Sequence, residues 1–461
     1  MDLDPVFLSR AQFAFVIAFH ILLPAFTVGL ASFIVLLEGL HVVKRDDVYL
    51  RLSVFWTRIF AVSFGMGVVS GIVMPFQFGT NWSRFSEAGG NIFAPLLAYE
   101  GMVAFFLEAG FLGILLFGRK LVPPWAHFFA ALMVALGTLF SSFWILSFNS
   151  WMQTPQGHEL VDGRFLPVSW MAIIFNPSFP YRLAHTVTAF YLTTAFAVLG
   201  ATAWHLKSGR HVAESQRVIA MTVNFIAIFV PVQIVLGDLH GLNSLRHQPV
   251  KVAAMEALWE TQARAPSVLF AIPDQKAETN HYEVAIPAFA SVYLTHSAEG
   301  VVQGLKSAPP GDRPPVAPVF FAFRIMVGIG ILMLSVALWG LWLRWRGRLF
   351  TSRAFMSACI AMTPAGFIAV ISGWTVTEVG RQPWVVYGLM RTRDAVTPSL
   401  TGADVLLSLA LYVIVYAIVF GAGIYYMVQV ARAGPPTRVD LREARLRERP
   451  ARPLSGAEAD T

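Results

Sequence analysis

Cysteine is nearly absent: the 461 residues hold one, Cys359. A single thiol excludes an intrachain disulfide, an iron–sulfur cluster held wholly by cysteine and a Cys-x-x-Cys-His covalent haem site, and its plain role is a small core hydrophobe. Charge is scarce as well. Asp, Glu, Lys and Arg make up 13% of the chain against 56% hydrophobic residues, which excludes a soluble globule of this size. No internal repeat is visible, which counts against folds assembled from duplicated halves. The opening Met-Asp-Leu-Asp-Pro is acidic where a cleaved signal peptide would be basic, so the first apolar run is expected to be kept as a span.

What is present is apolar and long. Runs able to cross a ~30 Å hydrocarbon core lie near 11–37, 52–74, 93–118, 125–150, 183–204, 217–237, 319–343, 354–377 and 404–431, and predict an all-α polytopic membrane protein of nine transmembrane helices. Lys and Arg gather in alternate connections, 38–51, 119–124, 205–217 and 344–353, and in an Arg-rich tail. That bias predicts the N-terminus outside and the C-terminus cytoplasmic, and it explains the +7 net charge without a nucleic-acid partner. The expected organisation is a membrane domain over 1–237 (spans one to six), an extracytoplasmic loop over 238–318, a membrane domain over 319–431 (spans seven to nine) and a cytoplasmic disordered tail over 432–461. The loop is expected to begin with a short amphipathic helix, Pro249 to Gln262, and to end in an extended, mobile Pro-rich stretch, Ser307 to Pro318.

Polar groups inside the spans are the functional candidates, because each is costly without a partner. Of the eleven histidines only His20 and His185 fall well inside spans. His185 and Met326 enter from the same side at similar depth, and imidazole plus thioether is the usual axial pair of a six-coordinate, electron-carrying haem. Met326 could equally be core filler, and His20 a hydrogen-bonded helix contact. Glu378 and Arg381, in Trp-Thr-Val-Thr-Glu-Val-Gly-Arg-Gln-Pro-Trp, stand at the end of span eight as ligand and partner or as a simple ion pair. Arg324, two residues before Met326, could snorkel or hold a propionate. Glu100 and Glu108 in span three, read as α-helix, project from roughly one face ~12 Å apart, a spacing that suits proton transfer or two hydrogen-bonded structural carboxyls.

Five motifs in one order then carry a resemblance: Glu-Gly-Met-Val-Ala-Phe-Phe-Leu-Glu (100–108), Trp-Met-Gln-Thr-Pro-Gln-Gly (151–157), Ala-His-Thr-Val (184–187), Phe-Arg-Ile-Met-Val-Gly (323–328) and Glu-Val-Gly-Arg-Gln-Pro-Trp (378–384). From about Ser9 to Met427 the chain resembles subunit I of the cytochrome bd-type quinol oxidases, in the short-loop branch that includes cyanide-insensitive oxidases. The resemblance implies a terminal respiratory oxidase that oxidises quinol at the outer face and reduces O2 to water, generating proton motive force without pumping. It implies two haem b plus haem d, or a third haem b in place of haem d. By it His185 and Met326 ligate the low-spin haem, and His20 and Glu378 the high-spin pair. Lys251 and Glu256 fall where the family's loop handles quinol, Glu100 and Glu108 match its proton-conducting carboxylates, and Trp374 and Arg381 match its residues around the high-spin haems. It further implies a required subunit II, a small single-span accessory subunit in some relatives, and a place in the bacterial cytoplasmic (inner) membrane among lipid. The rivals from another class are a transporter or proton-coupled carrier using intramembrane His and Glu, and a haem-bearing sensor or assembly subunit without catalysis.

Overall fold

The structure is a computed structural model, and it describes residues 4–437. Among them nine helices are long and apolar enough to cross a membrane: Pro5–Lys44, Asp47–Thr80, Ser83–Lys120, Pro124–Gln153, Phe179–Lys207, Val212–His247, Val316–Trp345, Arg353–Val379 and Gly402–Ala433, hereafter spans one to nine. They match the nine apolar runs and exceed each of them in length. Span six continues past the expected loop start at 238 to His247, and span nine carries Arg432 and Ala433, so the tail expected over 432–461 begins as helix. The remainder of that tail, from 438, lies outside the described residues.

Span five is the centre of the bundle, with the most buried apolar stretch of the nine. Span one crosses it closely: a Cβ on Gly29 would clash with the Thr194 hydroxyl, so only glycine permits this approach, and Thr194 Oγ1 donates to Phe26 O at 2.8 Å. Two spans depart from regular helix. Span three widens into a π-helical turn over Glu100–Phe105, and span eight breaks between Arg353–Ala361 and Ala365–Val379. Pro364 accounts for the break, since it offers no backbone N–H and disfavours helical geometry in the residue before it.

The long connection is folded. It holds a helix Pro249–Glu256, an antiparallel hairpin of Ser267–Asp274 with Thr279–Ile286, and a short helix Phe289–Thr295. Its apolar residues, among them Val252, Leu258, Val302 and Leu305, close a core onto Val316, Val319 and Phe320 of span seven. Two expectations need correction. The helix stops at Glu256 and does not reach Gln262, because Ala257 turns to φ 51° in the left-handed region. The Pro-rich end is not a free extended stretch: 3-10 turns at Leu305–Ser307 and Pro310–Asp312 interrupt it, Leu305 is fully buried, and Arg313 ties it down through Ala308 O (2.8 Å) and Glu278 (2.6 Å). Short hairpins also occupy the connections after spans four and eight, so strands decorate an otherwise helical protein.

Candidate functional site

The end of span eight, the end of span four and the loop helix converge on one buried network. Glu378 is ion-paired with Arg381 one turn on, and accepts from Asn149 Nδ2 (3.1 Å) and Gln153 Nε2 (3.4 Å) on span four. Asn149 Oδ1 in turn accepts from Arg182 of span five, and Gln153 Oε1 accepts from Lys251 Nζ at 2.6 Å. Gly380 leaves room for the lysine stem, since a Cβ there would meet Lys251 Cγ at 2.9 Å. Arg182, Lys251 and Arg381 are each about 5% exposed or less, and Glu378 is the carboxylate among them. Burial, reinforced by Arg182, drives the Lys251 ammonium well below the ordinary lysine range, while Glu378 pulls the other way. Arg381 Nε and Nη1 are buried without a protein partner. Uncompensated buried cations are strongly unfavourable, so the network calls for anions from a bound group.

Glu256, five residues beyond Lys251, faces elsewhere. Its carboxylate pairs with Arg324 at 2.6 Å and 3.4 Å, and the Tyr293 hydroxyl also bonds to it. Arg324 is fixed further by Val268 O at 2.7 Å and by the Phe320 and Phe323 rings beneath its guanidinium. Burial, then the Glu256 charge, pushes the Tyr293 phenol up. Lys251 and Glu256 are thus both buried, and neither lies on a solvated helix face.

The candidate ligands sit in recesses shaped by glycine. His185 lies against span six, with Gly237 so close that a Cβ there would stand 3.2 Å from its Cε1. Its Nδ1 is buried and unpartnered, and Gln233 lies 3.4 Å from Nε2. His240, assigned from sequence to a loop or span end, is in span six with its ring 5.5 Å from that of His185. Met326 faces span eight, where a Cβ on Gly373 would be 3.0 Å from its sulfur. His20 Nδ1 bonds Ser70 Oγ on span two at 2.9 Å, and Gly71 gives the ring its space. Trp374 is half-buried between the side chains around Tyr416 and those around Phe190.

Glu100 and Glu108 both meet span four. Glu100 accepts from Ser141 Oγ at 2.8 Å, and Glu108 is buried against Gly137, one turn from Ser141. The plain α-helical spacing read from sequence is corrected, because the π-turn lies between the two. Cys359 is free and fully buried, as a core residue. Sequence reasoning passed over Arg182, Asn149 and Gln153; Gln153 lies inside the Trp-Met-Gln-Thr-Pro-Gln-Gly motif, and Arg182 precedes His185 by three residues.

Nine spans enclose half-buried His, Met and carboxylate side chains beside buried guanidinium groups, of which Arg381 keeps two nitrogens unpartnered. Residues 8–435 match the family model described as cytochrome bd terminal oxidase subunit I. The chain is 35% identical to cytochrome bd ubiquinol oxidase subunit 1 of Bacillus subtilis (strain 168), covering 93% of each. It is 33% identical to cytochrome bd-II ubiquinol oxidase subunit 1 of Escherichia coli (strain K12), over 94% of this chain and 97% of that one. The solved bd oxidase of Geobacillus thermodenitrificans superposes with a TM-score of 0.87 at 31% identity, covering 94% of this chain and all of that chain. The chain belongs to the cytochrome bd terminal oxidase subunit I family. It is a multi-pass membrane oxidoreductase subunit of a haem-dependent type, and the transporter and non-catalytic readings fall away.

The residues present suit haem. Two recessed imidazoles and a thioether offer single axial donors, and the unpartnered nitrogens of Arg381 beside Arg182 and Lys251 match carboxylate side arms.

Proposed function

We propose that this subunit oxidises quinol at the folded loop and passes the electrons to O2 within the bundle, with subunit II as its required partner, in the bacterial cytoplasmic membrane. The loop is proposed to face outside and the C-terminus the cytoplasm. The observation that carries this reading is the buried pair Arg182 and Arg381 about the single carboxylate Glu378, with Arg381 Nε and Nη1 unpartnered, which anionic side arms of a bound haem would balance.

In this reading His185 and Met326 hold the low-spin haem b, and His20 and Glu378 hold the high-spin pair, a haem b with haem d or a further haem b. Bound there, haem supplies one-electron carriage and O2 chemistry. The chain's own residues do the rest. Glu256 accepts a proton as quinol loses two electrons and two protons, and Arg324 and Tyr293 hold that carboxylate in place; Lys251, expected to handle quinol beside it, bonds Gln153 in the network about Glu378 instead. Glu100 and Glu108 carry protons along the seam with span four toward the site of water formation. Trp374 and Arg381 pack about the high-spin pair. Protons released on the loop side and consumed from the other separate charge without a pump. In this organisation two membrane segments, spans one to six ending at His247 and spans seven to nine from Val316 to Ala433, flank a quinol-handling loop.

A pyridine haemochrome spectrum of the purified complex, paired with oxygen consumption on reduced quinone, tests the proposal. Haem bands and quinone-dependent consumption are expected; a haem-free chain, or haem without consumption, would overturn it.

A further inference from the structure

The loop hairpin lies along span seven in a fixed orientation. At its base Val268 O accepts from Arg324 Nε (2.7 Å); halfway up, the Phe270 and Phe321 rings are 6.5 Å apart; at its turn Gln275 bonds Pro314 O (3.2 Å) and Val316 N (3.1 Å). From Val316 to Arg324 the helix rises about 12 Å, so the hairpin base lies that much deeper along the span than its turn. Composition follows the same axis. Leu269, Phe270, Val284 and Ile286, from the base to halfway up, are 42% to 57% exposed, whereas the turn is Asp274, Gln275, Lys276, Ala277 and Glu278. The polar side chains on the second strand are drawn toward the turn, His281 to Asp274 (3.5 Å) and Glu283 to Asn280 (2.7 Å). An exposed apolar patch of this kind is costly in water. It adjoins Phe321, whose ring contacts Phe270, on the flank of span seven that also exposes Ile325.

We propose that the lower half of this hairpin is seated in the acyl region of the adjoining lipid leaflet and forms the wall past which quinol enters from the bilayer. The entrance part rests on the reading of Glu256 as a quinol residue. Ser267 and Val268, at the hairpin base, border that carboxylate through Tyr293 and Arg324. A long-tailed quinol moving along the apolar face thus meets the Glu256 and Arg324 pair without crossing water, and the polar turn stays at the surface as an interfacial segment does.

Since Cys359 is fully buried, Phe270→Cys and Lys276→Cys each give one reactive thiol for a fluorophore on the holoenzyme in proteoliposomes. Lipid brominated in its acyl chains should quench the label at 270 and spare that at 276, with iodide doing the reverse. Iodide quenching at 270 overturns the seat, and so does quenching there by neither agent, which would mean another protein chain covers it. These outcomes do not depend on how quinol is oxidised. For the entrance, Phe270→Asn, or Val284→Thr if the first loses its haem spectrum, should raise the ratio of KM for a long isoprenoid quinol to KM for a short-chain quinol several-fold. A ratio equal to that of the unsubstituted enzyme overturns the entrance role.

Discussion

Glu256 has a half-buried guanidinium, Arg324, and a phenol, Tyr293, within bonding reach, and it is 1% exposed. Glu256→Gln keeps the shape but removes both the charge and the proton acceptor, leaving Arg324 uncompensated. Steady-state quinol oxidation is expected to fall by one to two orders of magnitude, roughly the contribution of a positioned base, with the haem spectrum kept. Turnover unchanged across quinol concentrations would remove Glu256 from the reaction. Gly373 supports a second test. A Cβ there would press on the Met326 sulfur at 3.0 Å, so Gly373→Val should displace Met326 and lower low-spin absorbance while high-spin bands persist, as read in a redox difference spectrum. His20, His185, Glu100, Glu108 and Arg324 became candidates because polar groups stand out against apolar runs, whereas Lys251, Glu256 and Trp374 were named only through the family resemblance. Asn149, Gln153 and Arg182 were harder to see, since their importance comes from spans four and five meeting the end of span eight, a contact that no local pattern encodes.

At the scale of elements, span three is the informative case. Periodicity shows Glu100 and Glu108 near one face, and both do meet span four, but nothing in Glu-Gly-Met-Val-Ala-Phe marks a π-turn. Such turns frequently sit at functional sites, where they re-aim a side chain at little cost to the rest of the helix. Glu108→Gln is predicted to slow proton uptake after O2 binding without removing a haem, measured by flow-flash in proteoliposomes; uptake and voltage generation at the unsubstituted rate would take Glu108 off the path. The loop shows the opposite failure. A short apolar run in Ser-Val-Leu-Phe-Ala-Ile-Pro-Asp, a polar turn, and partial alternation in Thr-Asn-His-Tyr-Glu-Val-Ala-Ile was a usable hairpin signal, weakened by Pro273 at the strand end. The helix end at Glu256 depends on the left-handed Ala257, a residue whose composition gives no warning. Proline content suggested mobility for 307–318, whereas side-chain ties from Arg313 hold it.

For the whole molecule, nine spans were countable because each apolar run exceeds the bilayer thickness, and their long ends were not, because helices outlast the hydrocarbon core. Span nine has only 17% of its most apolar stretch buried, leaving most of its surface for lipid and, in the proposed assembly, subunit II. The account stands on the proposal that His185 and Met326 jointly hold the low-spin haem near the folded loop. The most direct test is the reduced-minus-oxidised absorbance spectrum of the purified complex carrying His185→Ala or Met326→Leu. Loss of the low-spin signal in each, with the chain inserted and the high-spin bands retained, is the predicted result; low-spin absorbance equal to the unsubstituted complex in both would contradict it.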